Sequence, residues 1–231
     1  GGDPASKTLG WLDLPIRLSM LAAQFSDLHS QLLSDGFTDV VVLGMGGSSM
    51  TPLTLSSIFG ESNSASDDHP TIRLHALDTV NPTTVSNITA ELDLSKTLFL
   101  VSSKSGTTVE PLTLEAHFRA VMANTVGSSM NRKNFVALTD PGTPLADRAK
   151  AGEFGTWVST PVDVGGRFSA LSTFGMMPAA AIGINIRAFA ESAVRMAHRC
   201  QVDSTENPGL ALAAFLASNA LGGRDKVTLI T

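Results

Sequence analysis

Residues 39–50 read D-V-V-V-L-G-M-G-G-S-S-M, and this stretch decides the fold. Val40-Val41-Val42-Leu43 is wholly apolar and mostly β-branched, the signature of a strand buried on both faces of a parallel sheet. It runs into Gly44-Met45-Gly46-Gly47-Ser48-Ser49, where glycine permits backbone geometry that a Cβ forbids and lets a ligand come close. Thr51-Pro52 then reads as a helix start, with proline near the first helical position. Strand, glycine turn, hydroxyls and helix N-terminus together form an anion-binding arrangement. A P-loop is excluded, because its motif requires a lysine and none lies near this turn. A dinucleotide fingerprint fits poorly. Ser49 stands where its third glycine belongs, and the first acidic partner, Asp78, comes about 32 residues after Gly46 instead of roughly 20. The third reading is one phosphate held by hydroxyls and backbone N–H groups. An ordinary strand-to-helix turn that happens to carry glycine and serine is the plain alternative.

Composition bounds the rest. The chain has 231 residues, 43% hydrophobic and only 16% charged, so it can build a generous core. That length suits one large α/β domain, or one domain and part of another. The net charge of -5, without a basic block, argues against nucleic acid as a partner. A single cysteine, Cys200, provides no disulfide framework and points to a reducing, cytoplasmic setting. No charge-free apolar run reaches about 18 residues, so no membrane span is expected. Gly1-Gly2-Asp3-Pro4 lacks signal-peptide character and reads as including an expression scar.

Taken in order, residues 12–33 read as an amphipathic helix with Leu12, Ile16, Met20, Ala23, Leu28 and Leu32 on its apolar stripe, stopped at Asp35-Gly36. A helix over 52–59 follows the glycine turn. A polar loop over 60–70 contains His69, read as solvated. Strands are expected at 71–77, 97–102, 135–139 and 156–159, with helices over 82–92, 109–123 and 144–151 between them. Asn81-Pro82 is a cap and first-turn pair. The strand at 97–102 runs into Ser103-Lys104-Ser105-Gly106-Thr107-Thr108, a second hydroxyl-rich strand-to-helix turn.

This alternation predicts an α/β fold: a five-stranded parallel sheet with helices on both faces. In the flavodoxin-like order 2-1-3-4-5, the first and third strands are neighbours at the topological switch point, where ligands sit. Both hydroxyl-rich turns follow those two strands, so two weak signals become one plausible pocket. Beyond residue 160, Val164-Gly165-Gly166-Arg167-Phe168-Ser169 offers a glycine-flanked guanidinium suited to an anionic substrate, or an ordinary turn with a surface arginine. Helices are expected over 170–182, 187–200 and from Asn207-Pro208 to about Leu221, with Met176-Met177 as core filler. His29 and His117 read as helix-surface residues and His75 as a strand residue. Lys226 to Thr231 reads as a further strand, which makes the chain look like a fragment that stops at the first strand of a second domain.

G-M-G-G-S-S-M, S-K-S-G-T-T-V-E-P and V-G-G-R-F-S-A-L-S occur in this order, and together they resemble the glucose-6-phosphate isomerase family, built from sugar isomerase (SIS) domains. G-R-D-K-V-T-L-I is similar to that family's lead into its second SIS domain. W-L-D-L-P is similar to the isomerase part of bifunctional transaldolase/glucose-6-phosphate isomerases. The resemblance divides the chain into a helical lead-in (1–36), a first SIS domain (37–165), and a helical segment with the first strand of a truncated second SIS domain (166–231). It implies interconversion of glucose 6-phosphate and fructose 6-phosphate through a cis-enediolate, with no metal or organic cofactor. Ser103, Ser105, Thr107 and Thr108 would hold the phosphate, with Lys104 in the same loop. Gly47, Ser48 and Gly166 would line the sugar end. Arg167 would stabilise the enediolate. Glu110 falls on a family glutamate position near the active site, or simply favours the helix dipole from the first turn. The family's proton-moving glutamate, in a Q-L-x-x-E-S-type motif, has no counterpart in these residues, and neither do its later lysine and ring-opening histidine. The expectation is therefore binding without turnover. A sugar-phosphate-sensing SIS module, an isomerase for another substrate such as mannose 6-phosphate, and a nucleotide-binding domain stay open. So does a homodimer of the full-length protein.

Overall fold

A computed structural model describes residues 8–63, 71–125 and 132–228. Five strands pair in parallel: β1 (Asp39–Gly44), β2 (Arg73–Leu77), β3 (Thr97–Ser102), β4 (Phe135–Thr139) and β5 (Thr156–Ser159), the continuous apolar runs lying in β1, β3 and β4. Their order is β2-β1-β3-β4-β5, the flavodoxin-like order expected for the sheet. β1 and β3 pair along their whole length, from Asp39 opposite Thr97 to Gly44 opposite Ser102.

The helices are α1 (Leu14–Gln24), α2 (Leu28–Ser34), α3 (Gly47–Asn63), α4 (Pro82–Glu91), α5 (Val109–Thr125), α6 (Pro144–Lys150), α7 (Thr173–Ala181), α8 (Ile186–Arg199) and α9 (Pro208–Leu221). Side chains alternate along a strand, so a strand apolar at every position feeds two cores. Val40, Val42, Leu98, Leu100, Val136 and Leu138 face one layer, with α1, α2, α3, α7 and α8. Val41, Leu43, Phe99, Val101, Phe135 and Ala137 face the other, with α4, α5 and α6. Phe99 anchors this second core, its ring centroid 4.6 Å from Phe118 and 4.9 Å from Phe135. Truncating a buried phenylalanine of this kind costs about 3–5 kcal/mol.

Several boundaries differ from expectation. The single helix over 12–33 divides at Phe25, which turns into the core and leaves α1 and α2 on either side. Its buried stripe is Leu14, Leu18 and Ala22, while Leu12, Ile16 and Met20 face solvent. Both sets recur at four-residue spacing, so periodicity alone does not choose between them. α3 begins at Gly47, not at Pro52. Gly46 takes φ +61, and the Ser49 and Met50 N–H groups already turn back onto its carbonyl at 3.1 and 2.9 Å. α3 also runs on to Asn63, into the segment read as loop; His69 lies outside the described residues. The helix expected over 170–182 is a 3-10 turn, Gly166–Leu171, followed by α7, whose N-cap Ser172 accepts from the Phe174 N–H. His29 is half-buried rather than on an open surface, its Nδ1 2.8 Å from the Ala181 carbonyl. Lys226 to Thr228 pair with no strand, and 229–231 lie outside the described residues. A β-branched run makes a strand only where a neighbour offers its ladder.

At the amino end of the sheet, the buried Asp39 carboxylate ties β1 to β2. It accepts from the Thr38 hydroxyl at 2.8 Å and from Arg73 at 2.8 Å, and lies 2.9 Å from His75 Nε2. Burial opposes its ionisation, but hydrogen bonds from His75, Arg73 and Thr38 outweigh that and hold its pKa below the usual carboxylate range. A depressed folded-state pKa contributes stability above the unfolded value, near pH 4, and that contribution is lost as pH falls through the folded pKa. Asp39→Asn is expected to cost about 1–3 kcal/mol at pH 7 and to flatten the loss of stability below about pH 4. Urea unfolding between pH 7 and 3 measures both; an unchanged acid limb would show that this carboxylate does not govern acid stability.

Candidate functional site

The carboxyl ends of β1 and β3 open into a cleft of about 520 Å³. Its first wall is the glycine turn after β1, contributing Met45, Gly47 and Ser48. A Cβ on Gly47 would overlap the carbonyl oxygen of Gly166, so this glycine lets the β1 turn lie directly against the 3-10 turn carrying Gly166. The Ser169 hydroxyl donates to the same carbonyl at 2.6 Å. Pro52 has no N–H to offer the Ser48 carbonyl one turn back, so the helix ladder is interrupted at the serine on the cleft wall.

The second wall is the loop after β3. Ser103 is buried, and its hydroxyl donates to Thr108 Oγ1 at 2.9 Å while accepting from the Thr108 N–H at 3.4 Å. Ser105 Oγ accepts from the Thr107 hydroxyl at 2.9 Å and from its N–H at 3.3 Å. Gly106 takes φ +66, and a Cβ there would sit 2.7 Å from Thr143 Cβ. The hydroxyls are thus pre-set by the loop's own bonds, next to the start of α5, where helix N–H groups favour an anion.

Asp140, Pro141 and Thr143, after β4, supply the third wall. Lys104 Nζ donates to Asp140 Oδ2 at 2.5 Å and to the Pro161 carbonyl at 3.0 Å, and the Thr160 hydroxyl donates to Asp140 Oδ1. Thr143 caps α6 through the Ala146 N–H at 3.2 Å. Lys104 and Asp140 are the titratable side chains lining the cleft, and they neutralise one another. The remaining lining is hydroxyl, glycine and small apolar surface, a chemistry that recognises an anion by hydrogen bonds more than by net charge.

Of the residues expected at a site, Gly47, Ser48, Ser103, Lys104, Ser105, Thr108 and Gly166 line this one cleft. Thr107 is exposed and lies outside the lining. Glu110 lies in the first turn of α5, half-buried and also outside it. Arg167 is exposed and also outside the lining, next in sequence to Gly166, its guanidinium 5.0 Å from the centroid of the Phe168 ring.

Residues near the start of the described chain hold the segment after β5 in place. Leu9 pairs with Val164 in an antiparallel bridge, the Gly10 N–H donates to the Asp163 carbonyl at 2.9 Å, and Trp11 stacks on Phe168 at 5.0 Å. Arg17 forks onto both Asp163 oxygens at 3.0 and 2.8 Å. Those hydrogen bonds lower the Asp163 pKa and raise that of Arg17. The lead-in thus clasps the segment that presents Gly166 and Arg167. Among the described residues, no group of three or more His, Cys, Asp or Glu gathers as a metal site.

A family model described as phosphoglucose isomerase matches residues 30–227. Over 207 residues the chain is 30% identical to the glucose-6-phosphate isomerase of Rubrobacter xylanophilus, an overlap covering 89% of this chain and 48% of that one. A hypothetical protein of known structure from Thermus thermophilus superposes with a TM-score of 0.79 at 32% identity, over 94% of this chain and 49% of the other. The glucose-6-phosphate isomerase of Chlamydia trachomatis superposes with a TM-score of 0.63 at 27% identity, over 84% of this chain and 34% of the other. The chain spans less than half the length of the curated relatives it matches, the share being 48% for the Rubrobacter protein.

The two glycine contacts give a direct test of the cleft walls. Gly106→Ala adds left-handed strain and a clash with Thr143, and is expected to cost about 2–4 kcal/mol by urea unfolding. Gly47→Ala forces the β1 turn off Gly166 and is expected to cost about 1–3 kcal/mol. Wild-type stability in both variants would mean that the walls are not held by backbone contact.

Proposed function

Because this chain belongs to the phosphoglucose isomerase family, we propose that it binds a hexose 6-phosphate and forms the phosphate-holding part of an enzyme that interconverts glucose 6-phosphate and fructose 6-phosphate. One observation carries the reading: the hydroxyl-rich loops after β1 and β3 line a single cleft at the switch point of the sheet. In this reading the phosphate sits against Ser103, Ser105 and Thr108 at the start of α5, with Thr107 bonded to Ser105 at its edge. Lys104 serves the loop through Asp140 and Pro161, as a buttress more than as a phosphate ligand. Gly47, Ser48 and Gly166 border the sugar. Arg167 leaves the Phe168 ring and meets the charge of a cis-enediolate, the step at which an electrostatic partner lowers the barrier.

Isomerisation also needs a base to carry a proton between C1 and C2. The one carboxylate in the cleft lining is Asp140, already engaged by Lys104 and Thr160. Its two oxygens are committed to those partners, so we infer that this stretch binds its substrate and turns it over slowly or not at all. Glu110, outside the lining, fits the first-turn role of a residue favouring the helix dipole.

Calorimetric titration with fructose 6-phosphate, with NAD as control, tests the assignment. Binding of the sugar phosphate is expected, weakened about tenfold to hundredfold in Ser103→Ala/Thr108→Ala, since a hydrogen bond to a charged group is worth about 1.5–3 kcal/mol. A coupled isomerase assay on the same sample is expected to show turnover near background. Binding of NAD alone, or normal turnover, would contradict the proposal. Equal affinity for mannose 6-phosphate would mean that these loops read the phosphate and leave the choice of sugar elsewhere.

A further inference from the structure

Ser102 ends β3 and lines the cleft floor, one residue before the loop proper. It is 1% exposed, and its hydroxyl has no hydrogen-bond partner among the protein's groups. Buried hydroxyls are nearly always paired, because an unpaired one forfeits its hydration for nothing. Its neighbours show what it faces. Ser102 stands opposite Gly44 in the β1–β3 register. A Cβ on Gly44 would lie 3.0 Å from Ser48 Cβ and 3.1 Å from Ser102 Cβ, so the two serines flank one bare patch of β1. The hydroxyls of the loop above are already linked, Ser103 to Thr108 and Thr107 to Ser105.

We propose that Ser102 is a specificity-determining residue of this cleft, its hydroxyl binding a hydroxyl of the sugar's carbon chain beside Ser48, not the phosphate. The proposal rests on the reading of the cleft as a hexose-phosphate site. A sugar hydroxyl both donates and accepts, so it satisfies a serine in either sense, whereas a phosphate dianion only accepts. The β1 side of the floor, bared by Gly44, is where the carbon chain lies if the phosphate occupies the loop at the start of α5.

Ser102→Ala tests this with two readouts. Removing an unpaired buried hydroxyl is expected to leave the melting temperature of the free protein unchanged or raised by about 2–4 °C. Affinity for fructose 6-phosphate is expected to fall about tenfold, with affinity for inorganic phosphate held within about twofold. A lowered melting temperature with both affinities unchanged would overturn the proposal, making Ser102 structural. Equal losses for both ligands would also overturn it, placing the hydroxyl on the phosphate. If the wild type binds fructose 6-phosphate and Ser102→Ala binds it equally, this inference alone fails. If the wild type binds neither ligand, the functional reading fails and this inference with it.

Discussion

The pairing of β1 with β3 is the constraint on which the rest of the structure depends. Both strands are buried on both faces, so their central runs, Val40–Leu43 and Leu98–Val101, are apolar, and their register ends with Gly44 opposite Ser102. Two loops that follow different strands therefore leave the sheet side by side and at the same height. The sheet order reverses at this point, so no crossover helix covers the gap between them. Neither loop is a site by itself. The cleft exists because an otherwise ordinary doubly wound sheet sets them together.

Close backbone approach completes the cleft. Gly47 against the Gly166 carbonyl and Gly106 against Thr143 bring four loops together in two pairs, at distances that side chains would prevent. The Lys104–Asp140 pair then links the β3 loop to the β4 loop and, through Pro161, to the segment leading to Arg167. That segment is held from the other side by the lead-in, through Arg17–Asp163 and the Trp11–Phe168 stack. The surface Arg17–Asp163 pair contributes modestly to stability. Its larger effect is geometric, since it fixes where the arginine loop begins. Such a scaffold suits a ligand recognised by pre-set hydroxyls and N–H groups, with little reorganisation on binding.

The centre of the sheet was legible because strands covered on both faces carry continuous apolar runs, as Val40–Leu43, Leu98–Val101 and Phe135–Leu138 do. Both loops of the cleft were legible because glycine and hydroxyl residues cluster immediately after two of those strands. Other features depend on partners far along the chain. Lys104 and Asp140 are 36 positions apart and Arg17 and Asp163 are 146 apart, so spacing carries no trace of either pair. Ser102 was absorbed into the strand pattern, and only burial reveals its unpaired hydroxyl. The apolar stripe of α1 was misplaced because two stripes compete, and the core's choice between them is tertiary. The helix start was placed at Pro52 because proline is a strong local signal, but the left-handed Gly46 starts the helix earlier.

The most direct test of a single sugar-phosphate cleft is a fructose 6-phosphate titration of the ¹⁵N-labelled protein, followed by amide chemical shifts. Saturable shifts, all fitting one dissociation constant, are expected at amides of the β1 turn from Gly44 to Ser48, of the β3 loop from Ser103 to Thr108, and at Gly166. Shifts confined to one loop, or centred elsewhere, as around His117 in the groove between α4 and α5, would contradict it.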